Sequence, residues 1–301
     1  MQRKARGSHV YNSLTKHGLL FILDRRDGKP VFGAEERPAP ATDVPGEQSW
    51  PTEPFPVKPP PLGRNSFSAE EIAKVTPEHE KFCRELLATE GGMVMGGPLT
   101  RYGPALSIVF PGTIGVSNWH GASLDPKLGY MFVNTTDLAD VGKVVKNPEG
   151  SRTPFSRTSP WGTYARFWNP ENFWPCQQPP WGQLIAVNVN TGDIAWKTPL
   201  GTIPELEKKG VRNTGAPNIG GSISTAGGLV FIAATNDKQF RAFDSKTGKE
   251  LWSATLETGG YATPMTYLGK DGRQYVVIVA TGGSFYDSST GDGVIAFALP
   301  K

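Results

Sequence analysis

The sequence predicts an all-β fold, a β-propeller assembled from short antiparallel strands, on three observations. The first is a strand–turn–strand phrase that ends on tryptophan and occurs twice. It reads Gln183-Leu-Ile-Ala-Val-Asn-Val-Asn-Thr-Gly-Asp-Ile-Ala-Trp196 and then Gln239-Phe-Arg-Ala-Phe-Asp-Ser-Lys-Thr-Gly-Lys-Glu-Leu-Trp252, with Gly192 to Gly248 and Trp196 to Trp252 both 56 residues apart. The second is a weaker copy, Leu19-Leu-Phe-Ile-Leu-Asp-Arg-Arg-Asp-Gly-Lys-Pro-Val-Phe32, in which Gly28 takes the glycine place and Phe32 the tryptophan place. The third is composition: 36 Gly and 27 Pro in 301 residues, 38% hydrophobic, with no apolar run long enough to cross a bilayer. Self-similarity at this period, built from strands, is the mark of repeat architectures that stack blades.

Each part of the phrase has a physical role. Alternating apolar residues such as Leu184 and Ala186, or Phe231 and Ala233, suit strands with a face against a neighbouring sheet. Asn190-Thr191-Gly192 and Lys246-Thr247-Gly248 are turn chemistry, with glycine free to take positive φ. The aromatic residue after the turn offers a broad apolar plate for the gap between two twisted blades. Three unrelated hairpins would also supply strands and turns, but the shared internal order of Ala, Asx, Gly and Trp favours a repeat.

Along the chain, residues 1–33 hold one strand pair. From Arg37 to Pro61 there are nine prolines in 25 residues, which excludes regular helix or central strand and predicts an extended surface excursion. A helical patch follows: Ser68 with Glu71 has capping-box spacing, and Thr76-Pro77 is a second cap with proline at the first helical position. Phe82, Cys83, Leu86 and Leu87 then share an apolar face, and Gly91-Gly92 ends the helix. The excursion therefore spans 37–92 within a single propeller unit over 1–301. Residues 105–136 return to strand, 137–181 are expected to be a long Pro- and aromatic-rich loop region, and 182–301 is nearly continuous β repeat.

These residues carry a resemblance. Thr15-Lys16-His17-Gly18 followed by Phe21 to Pro30 is similar to the quinoprotein (PQQ-dependent) dehydrogenases, especially the membrane glucose dehydrogenase type. So are Val44-Pro-Gly-Glu47, Pro54-Phe-Pro-Val57, and Phe110-Pro-Gly112 leading to Asn118-Trp119 and Asp125-Pro126. Pro175-Cys176, Pro179-Pro-Trp-Gly182, Ser224 to Phe231, Ala262-Thr-Pro-Met265 and Asp292 to Pro300 continue the match in order from about Leu14. The resemblance implies a partial propeller, about four blades of an eight-bladed ring with tryptophan-docking repeats, corresponding to the C-terminal half of a relative. It further implies pyrroloquinoline quinone beside Ca²⁺ or Mg²⁺, a sugar or alcohol substrate, and ubiquinone or a cytochrome as electron acceptor. The location implied is the periplasm, with full-length relatives associated with the inner membrane.

The same resemblance distributes the site. The family's catalytic aspartate lies upstream of the lysine matched by Lys16, and none of the fifteen residues before Lys16 is Asp or Glu. No catalytic residue is therefore expected in this chain, and the missing N-terminal half, or its equivalent, is an implied partner. Val294 to Leu299 matches the strand before the turn, and relatives supply the next strand from their N-terminal part. Lys16 is implied as the cationic contact to the quinone, and Asn118 as the amide ligand of the metal and cofactor region, where a carbonyl oxygen suits hard cations. On residue type alone, Lys16 would be a solvated lysine and Asn118 a turn residue. Trp119 either lines the same pocket or packs between blades. His120 stands where relatives carry a small residue, and its bulkier imidazole would narrow the pocket or alter substrate choice. Asp237 and Arg241, placed near the inner end of a blade, either bound the central cavity or form an ion pair. Cys83 and Cys176 lack CxxC spacing, and in a periplasmic family they suggest a long-range disulfide, the alternative being two buried thiols.

Other functions find little support. The histidines at 9, 17, 79 and 120 have no HExxH spacing, and there is no P-loop, GxSxG elbow or GxGxxG after a strand. A net charge of +3 and scattered Lys and Arg argue against nucleic acid. Met1 to Val10 is basic, but no hydrophobic stretch follows it as in a signal peptide. Three readings stand: part of a PQQ-dependent dehydrogenase, a cofactor-free propeller scaffold, or an inactive truncated product, to which the unfamiliar residues 1–13 would fit.

Overall fold

Strands that alternate in the sequence are here buried on both sides. In the segment Gly182–Asn188, Leu184, Ile185, Ala186 and Val187 are all fully buried. The cause is stacking: in this computed structural model, which describes residues 10–299, β-sheets pack face to face in chain order.

The stack begins with the pair Val10–Leu14 and Leu20–Asp24. Sheet I follows as Ser123–Asp125, Tyr130–Thr136, Gly182–Asn188 and Asp193–Pro199, and sheet II as Ser222–Ser224, Leu229–Ile232, Gln239–Asp244 and Glu250–Thr255. Sheet III has three strands among the described residues, Met265–Leu268, Gln274–Ser284 and Asp287–Ala298. Within each sheet, neighbours are antiparallel and spatial order equals sequence order. Three apolar layers fill the gaps. Leu20, Ile22, Val133 and Ile185 pack between the first pair and sheet I. Phe132, Leu184, Val230 and Phe243 lie between sheets I and II, and Phe240, Val276 and Ile278 between sheets II and III.

The repeat's glycine and aromatic residue meet across these gaps. Gly28, Gly192 and Gly248 have φ of 71°, 72° and 72°, each closing a turn with its N–H on the carbonyl of Asp24, Asn188 or Asp244. A Cβ added at Gly248 would lie 2.5 Å from Cε3 of Trp196, and one at Gly192 would lie 2.9 Å from Cδ2 of Phe32. Trp196 also donates its Nε1–H to the Ser245 carbonyl at 3.1 Å. Each aromatic plate thus lies on the turn of the following copy, and Trp252 meets Phe297 of sheet III at 5.1 Å.

The segment 137–181 corrects the expectation of a loop. It contributes Asp140–Lys146 and Phe155–Thr158 to a cap sheet, in which Ser107–Val109 pairs antiparallel with Asp140–Lys146 and parallel with Val94–Met95. A short pair, Trp168–Asn169 with Trp174–Pro175, forms a separate two-stranded sheet. The proline-rich stretch forms a ladder, Ala34–Pro38 with Thr52–Pro56, whose two strands, among the described residues, pair only with each other, an edge position that proline tolerates. The helical patch is as the caps imply. Ala69–Glu71 is a 3₁₀ turn closed by the Ser68–Glu71 capping box, and α1 (Pro77–Leu87) starts at Thr76, whose Oγ1 accepts from His79 N–H at 3.2 Å. The helix ends at Leu87, before Gly91-Gly92. Its Cys83 is disulfide-bonded to Cys176 with Cα atoms 5.3 Å apart, fastening the excursion to the 137–181 insertion over a core of Phe67, Ile108, Phe110, Val141 and Phe167.

Candidate functional site

Lys16 sits in the turn between Val10–Leu14 and Leu20–Asp24. Its exposed side chain crosses Gly115, where an added Cβ would come within 2.9 Å of Lys16 Cβ, and its Nζ donates to the Thr113 carbonyl at 2.9 Å. Val116 N–H in turn donates to the Lys16 carbonyl at 2.8 Å, so turn and loop are sewn together. Asn118 is on the same loop. Its Nδ2 donates to the Ile114 carbonyl at 2.7 Å, and its Oδ1 accepts from Trp119 N–H at 2.8 Å. Trp119 projects from the loop with 64% of its surface exposed, edge-on to His120 at 6.0 Å. Burial lowers the His120 pKa, which favours a neutral ring; its Nδ1 is 3.2 Å from the Gly121 carbonyl.

The loop is anchored from behind by Asp140, which is 1% exposed. Its Oδ2 accepts from Thr113 N–H at 2.8 Å and from Arg157 Nη2 at 3.2 Å. Arg157 lies over the Tyr102 ring at 4.2 Å. The sequence reading missed Asp140, because the segment that carries it was expected to be loop. Nearby, the Arg166 guanidinium lies over the rings of Trp168 at 5.3 Å and Phe285 at 5.4 Å.

The structure therefore sets the Lys16 turn against the loop that carries Asn118 and Trp119, and gives Asp237 a different set of partners. The Asp237 side chain, 1% exposed, is ion-paired to Arg241. Its oxygens also accept from Thr202 N–H at 2.9 Å, Thr235 Oγ1 at 2.6 Å and Gln239 N–H at 3.1 Å. Of the two alternatives for this residue, the ion pair is what the structure shows.

The residues present fit a quinone carbonyl better than they fit a complete metal sphere. Lys16 spends one ammonium hydrogen on a backbone carbonyl and keeps others for a ligand oxygen. Asn118 Oδ1 has a lone pair left for a hard cation. Ca²⁺ takes six to eight oxygen ligands, so Asn118 alone holds none and other donors must join it. The one cluster of potential metal ligands among the described residues is His79 with Cys83 and Cys176. There both sulfurs are in the disulfide, and His79 Nε2 is 3.0 Å from the Pro175 carbonyl.

The sequence matches the family described as "PQQ: Glucose/ethanol/alcohol dehydrogenase, beta-propeller domain" over residues 1–276. It is 37% identical over 310 residues to the quinate/shikimate dehydrogenase (quinone) of Acinetobacter baylyi, covering 95% of this chain and 38% of that protein. It is 33% identical to the quinoprotein glucose dehydrogenase of Escherichia coli, again covering 95% of this chain and 38% of that protein. This chain thus spans less than half the length of these relatives. The fold is that of the quinohemoprotein alcohol dehydrogenase from Comamonas testosteroni, with a TM-score of 0.54 at 23% identity, covering 96% of this chain and 35% of that one. The repeats, the stacked sheets and these matches agree: the chain belongs to the PQQ-dependent glucose/ethanol/alcohol dehydrogenase β-propeller family.

Proposed function

We propose that this chain forms about four blades of an eight-bladed PQQ-dependent dehydrogenase, which oxidises a CH–OH group of a sugar or alcohol and passes electrons to ubiquinone or a cytochrome. The observation that carries the reading is that the Lys16 ammonium is held by the same Asp140-anchored loop that carries Asn118. A surface lysine and a turn asparagine have no need of such a scaffold. When bound, PQQ supplies an electrophilic quinone carbonyl that takes up the substrate's two electrons. Lys16 would hold that carbonyl side through its ammonium and favour negative charge building there. Asn118 Oδ1 would contribute one ligand to Ca²⁺ or Mg²⁺, and Trp119 would wall the entrance. The glucose-type substrate is the narrower form of the proposal. Relatives named for quinate/shikimate, glycerol and glucose all match, so a polyhydroxylated substrate is the broader one.

The contacts of Phe32 with Gly192 and Trp196 with Gly248 are, in this reading, the docking contacts between blades. A completing segment is part of it too. One face of sheet III exposes Met265, Tyr267, Val279 and Val294, an apolar surface of the kind that the other sheets bury. The catalytic carboxylate and the remaining metal ligands would come with that segment. A periplasmic location accords with the Cys83–Cys176 disulfide. Among the described residues no helix is long and apolar enough to cross a membrane.

The test begins with the DNA upstream of Met1, expected to encode further repeats and a carboxylate ahead of Lys16. PQQ and Ca²⁺ are then titrated into the chain with and without that segment. Binding is expected only with it, and Lys16→Ala should weaken it about tenfold or more, the loss of a charge-assisted hydrogen bond. Equal binding by Lys16→Ala removes Lys16 from the site. An upstream region without repeats favours the scaffold or the truncated product.

A further inference from the structure

A cavity of about 230 Å³ lies between the strap Pro61–Arg64 and the end of sheet I. It is lined by Leu62, Arg64, Thr135, Asp137, Gln183 and Lys197, among others. The register pairs Thr135 with Gln183, Gln183 with Pro199 and Ile185 with Lys197, which puts Thr135, Gln183 and Lys197 on one face of the sheet. The strap is held over this face: Leu62 N–H donates to the Gly18 carbonyl at 2.9 Å, and Arg64 is ion-paired to both Glu71 and Asp137.

The lining is unevenly satisfied. Arg64 is already ion-paired, with Nε on Asp137 Oδ2 at 2.9 Å, Nη1 on Glu71 and Nη2 3.3 Å from the Gln178 carbonyl. Among the described residues, Lys197 has no carboxylate partner, the Gln183 side-chain amide makes no hydrogen bond, and Asp137 Oδ1 is buried without one. Desolvation lowers the Lys197 pKa, as expected of an ammonium partly withdrawn from water without a counter-charge. Pro61, Leu62 and Pro180 supply apolar walls. With Arg64 and Asp137 already ion-paired, the free Lys197 cation, the Gln183 amide and an aliphatic wall describe a ligand with one negative charge, hydroxyls and a short carbon body. The volume is below the ~300–1,000 Å³ of drug-sized sites, so the ligand is small.

We infer that this cavity binds a small hydroxylated carboxylate, its carboxylate on Lys197 and its hydroxyls on Gln183 and the neighbouring polar groups. The site is separate from the Asn118 loop that holds Lys16 and does not rest on the cofactor reading. It adjoins that loop, since Gly63 packs on Val116 and Thr136 N–H donates to the Val116 carbonyl at 2.8 Å.

The test is calorimetric titration of the chain with gluconate, and with sorbitol as its uncharged counterpart. Gluconate should bind, sorbitol should bind about tenfold or more weakly, and Lys197→Met should lower gluconate affinity by about the same factor, the value of one charge-assisted contact. Lys197 is exposed on an outer strand, so this variant retains its fold, which circular dichroism checks. Gln183→Leu should weaken gluconate and sorbitol alike. No gluconate binding, equal binding of sorbitol, or full affinity in Lys197→Met overturns the inference. So does loss of binding in Lys16→Ala with retention in Lys197→Met, which would put the acid at the other site.

Discussion

Replacing Gly248 by alanine separates two costs that the repeat imposes on its turn glycine. The first is conformational: φ is 72°, where a Cβ costs about 1–2 kcal/mol. The second is steric, because the new Cβ would lie 2.5, 2.7 and 2.9 Å from three ring carbons of Trp196. An indole fixed by its Nε1–H on the Ser245 carbonyl cannot yield freely, and overpacking of this kind adds about 1–3 kcal/mol. Gly248→Ala should therefore lose about 2–5 kcal/mol. The fold contains its own control. Gly28 has φ of 71° and the same turn hydrogen bond, but nothing lies within 4 Å of its added Cβ. Gly28→Ala should show the backbone part alone, about 1–2 kcal/mol. Gly192→Ala, meeting Phe32 at 2.9 Å and Lys58 Cβ at 2.8 Å, should resemble Gly248→Ala. The assay is urea unfolding followed by far-ultraviolet circular dichroism, repeated in a Trp196→Ala background. There Gly248→Ala should fall to the Gly28→Ala value, a coupling of about 1–3 kcal/mol. Equal costs at Gly28 and Gly248, or additivity with Trp196→Ala, would refute the contact as the reason for glycine.

Three further outcomes follow from buried groups. Reducing the Cys83–Cys176 bond, which spans 93 residues of sequence, should lower stability by up to about 4–5 kcal/mol on the chain-entropy account, measured as the drop in urea midpoint with dithiothreitol; Cys83→Ser should abolish that response. Arg241→Met should cost about 3–5 kcal/mol, because it leaves the Asp237 carboxylate buried and without its cation, whereas Arg241→Met with Asp237→Asn should recover part of the loss; no recovery would mean that the pair is not the unit. Burial raises the Asp137 carboxyl to about 6, outweighing its attraction to Arg64. Between its ordinary value and about 6 the folded chain then holds a proton that the unfolded chain has lost, so this group's contribution to stability grows as pH falls from 7 to 4. At ~1.4 kcal/mol per unit over about two units the gain approaches ~3 kcal/mol, and Asp137→Asn should erase that part of the pH profile.

What the sequence displayed and what it hid divide along a physical line. The repeat was legible because a turn glycine, a β-run and a plate-like aromatic are local necessities, and each copy must meet them again. The caps at Ser68 and Thr76 were legible for the same reason, since a helix end must satisfy its own N–H groups. Lys16 and Asn118 were found only by resemblance; nothing local marks either, and what joins them is a loop that neither strand predicts. The cap sheet was legible only in Ser107–Val109, which lies in the segment expected as strand. Asp140–Lys146 is paired with Ser107–Val109 and Phe155–Thr158, and its burial depends on α1 and the disulfide, tens of residues away in sequence. Asp140 shows the consequence for the site. A carboxylate in a segment rich in proline and aromatics reads as solvated, yet here it is nearly inaccessible and holds Thr113, whose carbonyl receives Lys16. The lysine's position is thus set by an aspartate on an inserted sheet, so the insertion that obscures the repeat is also what orders the loop beside it.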